Sequence, residues 1–178
     1  NLIYISPSFL PSSSANSIHV LNQVQAIAEG GHNVTLFAAR NIFRKKTFKN
    51  AVYEKYFPLS NNIKLYTIFC FSNRSIEILI AINSIIKVFS LRSKYIISRN
   101  LYASLILSLI LAKPHIYEMH EIFYGIRGFF QKLIINKNNV TLVCISKSLA
   151  NETRRIFGLN NRRISILHDA APSFISPV

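Results

Sequence analysis

The sequence predicts an α/β fold: one open, mostly parallel, doubly wound sheet of about seven strands with helices on both faces. Short β-branched runs alternate with longer runs of helical period along the chain. The first 40 residues already form a complete β-α-β unit, whose parallel strands require a crossover helix. A chain of 178 residues, half of them hydrophobic and 16% charged, fits one packed domain rather than a disordered segment.

Leu2 to Ser6 reads as a strand ending at Pro7. Asn16 or Ser17 is placed to cap a helix whose apolar face is Val20, Leu21, Val24, Ile27 and Ala28, and Gly30-Gly31 stop it. Asn33 to Ala39 is the second strand. The stretch from Arg40 to Ser60 is basic, aromatic and unperiodic, and reads as loop or short helices. Asn62 to Phe71 is a third strand, followed by a helix from Ile76 to Leu91. Tyr95 to Ser98 is short enough to be a buried strand, and the helix after it, Leu101 to Ala112, stops before Pro114. The remaining elements are strand His115 to His120, helix Phe123 to Ile135, strand Val140 to Ile145, helix Lys147 to Phe157 stopped by Gly158, and strand Arg163 to Leu167. Residues 1–169 form the domain, and 170–178 read as the start of a linker carrying Pro172 and Pro177.

Cys70 and Cys144 sit in apolar runs without a framework or metal spacing, and read as reduced core thiols of a cytoplasmic protein. No basic n-region precedes the opening strand, so no secretion signal is expected. Ile76 to Leu91 and Leu101 to Ala112 are too short for a bilayer span, which needs about 20 apolar residues. Mean hydropathy is nevertheless high at +0.27, which suggests more apolar surface than a free-standing soluble domain usually shows. The net charge of +14 suits an anionic membrane face or a phosphorylated substrate, and equally suits a coding bias towards Ile, Asn and Lys. It does not point to nucleic acid, because basic groups such as Arg44-Lys45-Lys46, Arg154-Arg155 and Arg162-Arg163 are scattered and no nucleic-acid motif accompanies them.

Ligands of an open parallel sheet gather outside the carboxyl ends of the strands. That rule selects the loop Pro7 to Asn16, then Arg99-Asn100, His120-Glu121, Ser146-Lys147 and His168-Asp169. The first loop has no Gly-x-Gly-x-x-Gly pattern and the chain no Walker A loop, which disfavours nicotinamide and ATP sites. Ser12, Ser13, Ser14 and Ala15 before a helix can offer backbone N–H groups to a phosphate, or can simply cap the helix. In Tyr117-Glu118-Met119-His120-Glu121 the imidazole stands at a strand end, with Glu118 on the same side by period two. A histidine between two acids is expected to have raised proton affinity and to suit hydrogen bonding to sugar hydroxyls or phosphate. The plainer alternative is a histidine closing a strand in a local ion pair. His19 lies near the start of the first helix, beside the expected crevice. No metal-ligand spacing occurs, and no nucleophile elbow for a serine hydrolase.

In this order the opening strand with its Pro-Ser-rich loop and the segments Ala15-Asn16-Ser17-Ile18-His19-Val20, Gly31-His32-Asn33-Val34-Thr35-Leu36, Tyr117-Glu118-Met119-His120-Glu121, Cys144-Ile145-Ser146-Lys147-Ser148-Leu149 and Ile166-Leu167-His168-Asp169-Ala170-Ala171 resemble the N-terminal domain of family 4 retaining glycosyltransferases. The resemblance spans nearly the whole chain. It implies a Rossmann-like, acceptor-side half of a GT-B enzyme of polysaccharide biosynthesis. Such an enzyme moves a sugar from a nucleotide-sugar to a glycan or lipid-linked acceptor, with retention and without a metal or other cofactor. His120 would contact the donor sugar as the catalytic residue, and Ser13, Ser14, Ala15 and Asn16 would approach the donor phosphates. His19, Arg99, Glu121, Ser146 and Lys147 would serve substrate binding, with Arg99 and Lys147 suited to a departing diphosphate or an anionic acceptor. The family's Gly-Gly pair in the first loop is replaced here by Ser13-Ser14-Ala15-Asn16. The donor-binding domain, with its Glu-x7-Glu element, is expected to follow the linker, so the fragment alone is expected to be inactive. The expected location is the cytoplasm, with peripheral attachment at the inner membrane face as a further option. The rival expectation is a non-catalytic basic α/β module that docks to a membrane or protein partner.

Overall fold

The computed structural model describes residues 1–10, 12, 14–41, 59–70, 73–91, 93–159 and 164–167. Its strands are β1 (Leu2–Phe9), β2 (Val34–Asn41), β3 (Ile63–Cys70), β4 (Tyr95–Ser98), β5 (His115–Met119), β6 (Val140–Cys144) and β7 (Ser165–Ile166). The helices are α1 (Ala15–Glu29), α2 (Asn73–Leu91), α3 (Leu101–Leu105, running into a π turn over Ile106–Ile110), α4 (Gly125–Ile135) and α5 (Lys147–Phe157). All paired strands are parallel and their order is β3-β2-β1-β4-β5-β6-β7. This is the doubly wound, Rossmann-like arrangement that the alternation predicts. The expected loop from Arg40 to Ser60 falls mostly outside the described residues, as do Ser13, His168, Asp169 and the linker.

Alternation along β1 explains why both faces are covered. Leu2 and Tyr4 turn towards α1, where they meet Val20, Leu21 and Val24. Ile3 and Ile5 turn the other way, onto Ile76, Ile80 and Val88 of α2 and Ala103 of α3. Farther along the sheet, Tyr117, Met119, Leu142 and Cys144 pack against Ile134 of α4 and Ala150 of α5. Cys144 is a buried free thiol, pushed up from its ordinary pKa by that burial. The side chain of Cys70 lies outside the described residues.

Among the departures from expectation, three have a direct physical reason. β1 continues through Pro7 to Phe9, because its register with β2 shifts between Ile5 and Phe9 and accommodates the imino acid. The cap of α1 is Ser14, not Asn16 or Ser17; its side chain accepts from the Ser17 amide. The helix after β4 widens into the π turn, with Leu111 N donating to Ile106 O at 3.0 Å, and Ala112 adopts φ 48°. Lys113 precedes a proline and cannot continue the helix, so the chain leaves it abruptly.

Candidate functional site

β1 and β4 are neighbours, yet β1 leads into α1 on one face and β4 into α3 on the other. The chain therefore diverges at their carboxyl ends and leaves a crevice there. An open cleft of about 460 Å³, solvent at its mouth included, occupies this position. Pro7, Asn16, Glu77, Arg99, Glu118, His120, Glu121, Phe123 and Arg127 are among its lining residues.

Glu118 is the centre of the site. It is 2% exposed, and its Oε2 accepts from Gln23 Nε2 at 2.9 Å and lies 3.0 Å from the Tyr4 hydroxyl. Its Oε1 lies 2.8 Å from His120 Nε2, 3.5 Å from His19 Nε2 and 3.8 Å from Arg99 Nε. Burial alone would raise the carboxyl, but hydrogen bonds from His120 and His19 and the charge of Arg99 outweigh it. Glu118 is thus held ionised, well below the usual carboxylate range.

His120 has both ring nitrogens engaged. Arg99 Nη2 stands 2.9 Å from His120 Nδ1, and a guanidinium can only donate. Nδ1 therefore accepts, and Nε2 carries the hydrogen that Glu118 receives. This neutral tautomer agrees with the direction of the His120 pKa, which is lowered by burial and by Arg99 against the pull of Glu118. The proton affinity expected from two flanking acids is thus not raised: desolvation and the guanidinium prevail, and Glu121 sits in the exposed rim.

Arg99 ties the head of α1 to the strand ends. Its Nη2 also donates to Asn16 Oδ1, while Asn16 Nδ2 donates to Ser8 Oγ at 2.9 Å. The side chain is 4% exposed, and its buried Nη1 has no hydrogen-bond partner among the described residues. That leaves donor capacity for a ligand. A second pair stands across the cleft: Arg127 Nη2 reaches Glu77 at 3.1 and 2.9 Å, and its guanidinium lies 3.9 Å from the Phe123 ring centroid.

His19, Glu118 and His120 offer ligand-capable atoms within 4.8 Å of one another, a convergence that the spacing along the sequence hides. A metal on His120 Nε2 would force the ring proton onto Nδ1, where Arg99 already donates. The arrangement is better matched to a hydrogen-bonded carboxylate than to a cation.

Of the sequence-selected residues, Asn16, His19, Arg99 and His120 meet in one network. Ala15 opens α1, and the Ser14 side chain is occupied by its cap, within 2.8 Å of Ser17 Oγ. Glu121 reaches the cleft rim, where its main-chain oxygen accepts from Gln131. Ser146 and Lys147 stand on the same edge of the sheet, at the head of α5, but do not line the cleft. Ser146 is used as a helix cap, accepting from the Leu149 amide at 3.1 Å. Sequence reasoning missed Tyr4, Gln23, Glu77 and Arg127. Gln23 was findable: Asn16, His19 and Gln23 repeat on one side of α1 at helical spacing. Glu77 and Arg127 meet only through the packing of α2 and α4 across α3, which no local pattern announces.

No known protein family matches this chain, and no curated protein sequence matches it.

Proposed function

We propose that this chain is the acceptor-side half of a retaining GT-B glycosyltransferase, acting on a nucleotide-sugar and a glycan or lipid-linked acceptor together with a C-terminal donor-binding domain. The observation that carries the reading is the convergence of Asn16, His19, Arg99, Glu118 and His120 at the switch point of the sheet. Mixed donors and acceptors against apolar walls of Pro7, Leu101 and Phe123 suit a polyol, whose ring carbons and hydroxyls need both.

In this reading Glu118 holds the imidazole and guanidinium in place and keeps the site polar in a buried setting. A sugar hydroxyl takes the place of one of His120's internal partners. Arg99 supplies its unused Nη1 to developing negative charge on the departing diphosphate. The amide dipoles at the head of α1, where Ser14 caps the Ser17 N–H, add partial positive charge on the same side. No metal is required by this division of work.

The test is release of nucleoside diphosphate from a panel of nucleotide-hexoses by the full-length gene product, with a lipid-linked glycan as acceptor. His120→Ala and Arg99→Ala should each lower the rate by about 100-fold or more while circular dichroism stays native. An unchanged rate in His120→Ala removes the imidazole from the mechanism. No turnover with any donor contradicts the transferase reading.

A further inference from the structure

The large apolar side chains left exposed are concentrated on one helical layer. Among the described residues, Ile82, Ile86 and Phe89 are 48, 62 and 62% exposed on α2, and Ile110, Ile126 and Phe129 are 74, 66 and 55% exposed on the π turn and α4. α2 packs against α3 and α3 against α4, so these side chains share one outer surface. On α2 the other side is apolar as well, since Ile76, Ile80, Ile85 and Val88 enter the core. A helix that carries large apolar side chains on its outer as well as its inner side calls for cover on the outer one.

Charge selects the kind of cover. From Asn73 to Asn139 the acidic residues are Glu77, Glu118 and Glu121. Glu77 is paired with Arg127, Glu118 is buried, and Glu121 lies in the cleft rim. Lys87, Lys94 and Lys132 are exposed on the same layer and its edges, and Lys113 is partly so. A second copy would set lysines against lysines between chains that each carry +14, which opposes pairing of like faces. An anionic surface gains from both the apolar stripe and the lysines, and no helix among the described residues is long and apolar enough to cross a membrane.

We propose that the outer layer formed by α2, the π turn and α4 docks this protein onto an anionic lipid bilayer, with Ile86, Phe89 and Ile110 entering the headgroup boundary and the lysines facing lipid phosphates. The inference stands independently of the transferase reading. If both hold, the cleft opens beside the bilayer, because Glu77 and Arg127, at the starts of α2 and α4, line it.

Co-sedimentation of the full-length protein with phosphatidylcholine vesicles containing about one-third phosphatidylglycerol tests the proposal, against pure phosphatidylcholine. Binding is expected only to the anionic vesicles. The double variant Ile86→Asn, Phe89→Asn should weaken it by about tenfold or more, and Lys87→Gln by roughly fivefold. These side chains are exposed, so native circular dichroism should persist, and Ile156→Asn on α5 serves as an exposed apolar control that leaves binding unchanged. Absence of binding to anionic vesicles overturns the proposal. So does binding that the double variant leaves intact, which would mean charge attraction without this face. A dimer in sedimentation velocity that the double variant dissociates would assign the surface to a second copy and likewise overturn it.

Discussion

Glu118 is the residue on which the site's organisation turns. Glu118→Gln preserves the shape but removes the charge that compensates the buried Arg99 guanidinium. Urea denaturation should show a loss of about 3 kcal/mol, whereas substitution of the exposed Glu152 should change stability little. The pH dependence follows from two groups of opposite type. His115, lowered by burial, and His120, lowered by burial and Arg99, both prefer to be neutral in the fold. The unfolded chain therefore binds more protons once pH drops below about 6.5, and stability falls from there downwards. Glu118, held below the usual range, adds a further loss only as pH drops below about 4.3. Melting temperature should thus decline between neutrality and mildly acid pH, and His120→Asn should make that decline shallower. The position of His120 was legible because a strand's period and the strand-end rule locate it without tertiary knowledge. Its protonation was not, since the nearest acid in sequence, Glu121, is not the deciding neighbour. Arg99, some twenty residues earlier in the chain, stands within 2.9 Å.

Elements were legible wherever a local rule fixes an end. Gly158 ends α5 at φ 68°, as turn chemistry dictates. Replacing Gly158 with Ala should cost about 1 kcal/mol, measured as a shift in the denaturation midpoint. Gly128 is a different case, invisible to sequence patterning. A Cβ there would stand 2.4 Å from the Phe123 carbonyl oxygen, so the loop before α4 rests directly on the helix backbone. Gly128→Ala should destabilise by about 2 kcal/mol and displace Phe123, on whose ring Arg127 lies. The π turn was equally illegible, because the apolar run Leu101 to Ala112 fits either helix type. What distinguishes them is the need to exit before Pro114, felt through hydrogen bonds five and six residues back, Leu111 to Ile106 and Lys113 to Leu107.

At the scale of the whole molecule, alternation of elements made the sheet predictable, while the strand order that creates the crevice follows from packing between distant segments. The first β-α-β unit lies on one side of the switch point and the later strands on the other. Histidine side chains from both halves, His19 and His120, end with ring centroids 5.6 Å apart. The high hydropathy has its counterpart at this scale: among the described residues, most of the exposed large apolar side chains lie on the outer helix layer. The claim on which the functional account depends is that a nucleotide-sugar enters the crevice and meets His120. Nitrogen-15 NMR of the histidine rings in the full-length gene product reads this directly, as nucleotide-hexoses are titrated to roughly millimolar concentration to capture weak binding. The account predicts a neutral, Nε2-protonated His120 in the free protein and a ligand-dependent shift of its ring nitrogens, with those of exposed His32 unchanged. A His120 that no nucleotide-hexose moves would contradict it.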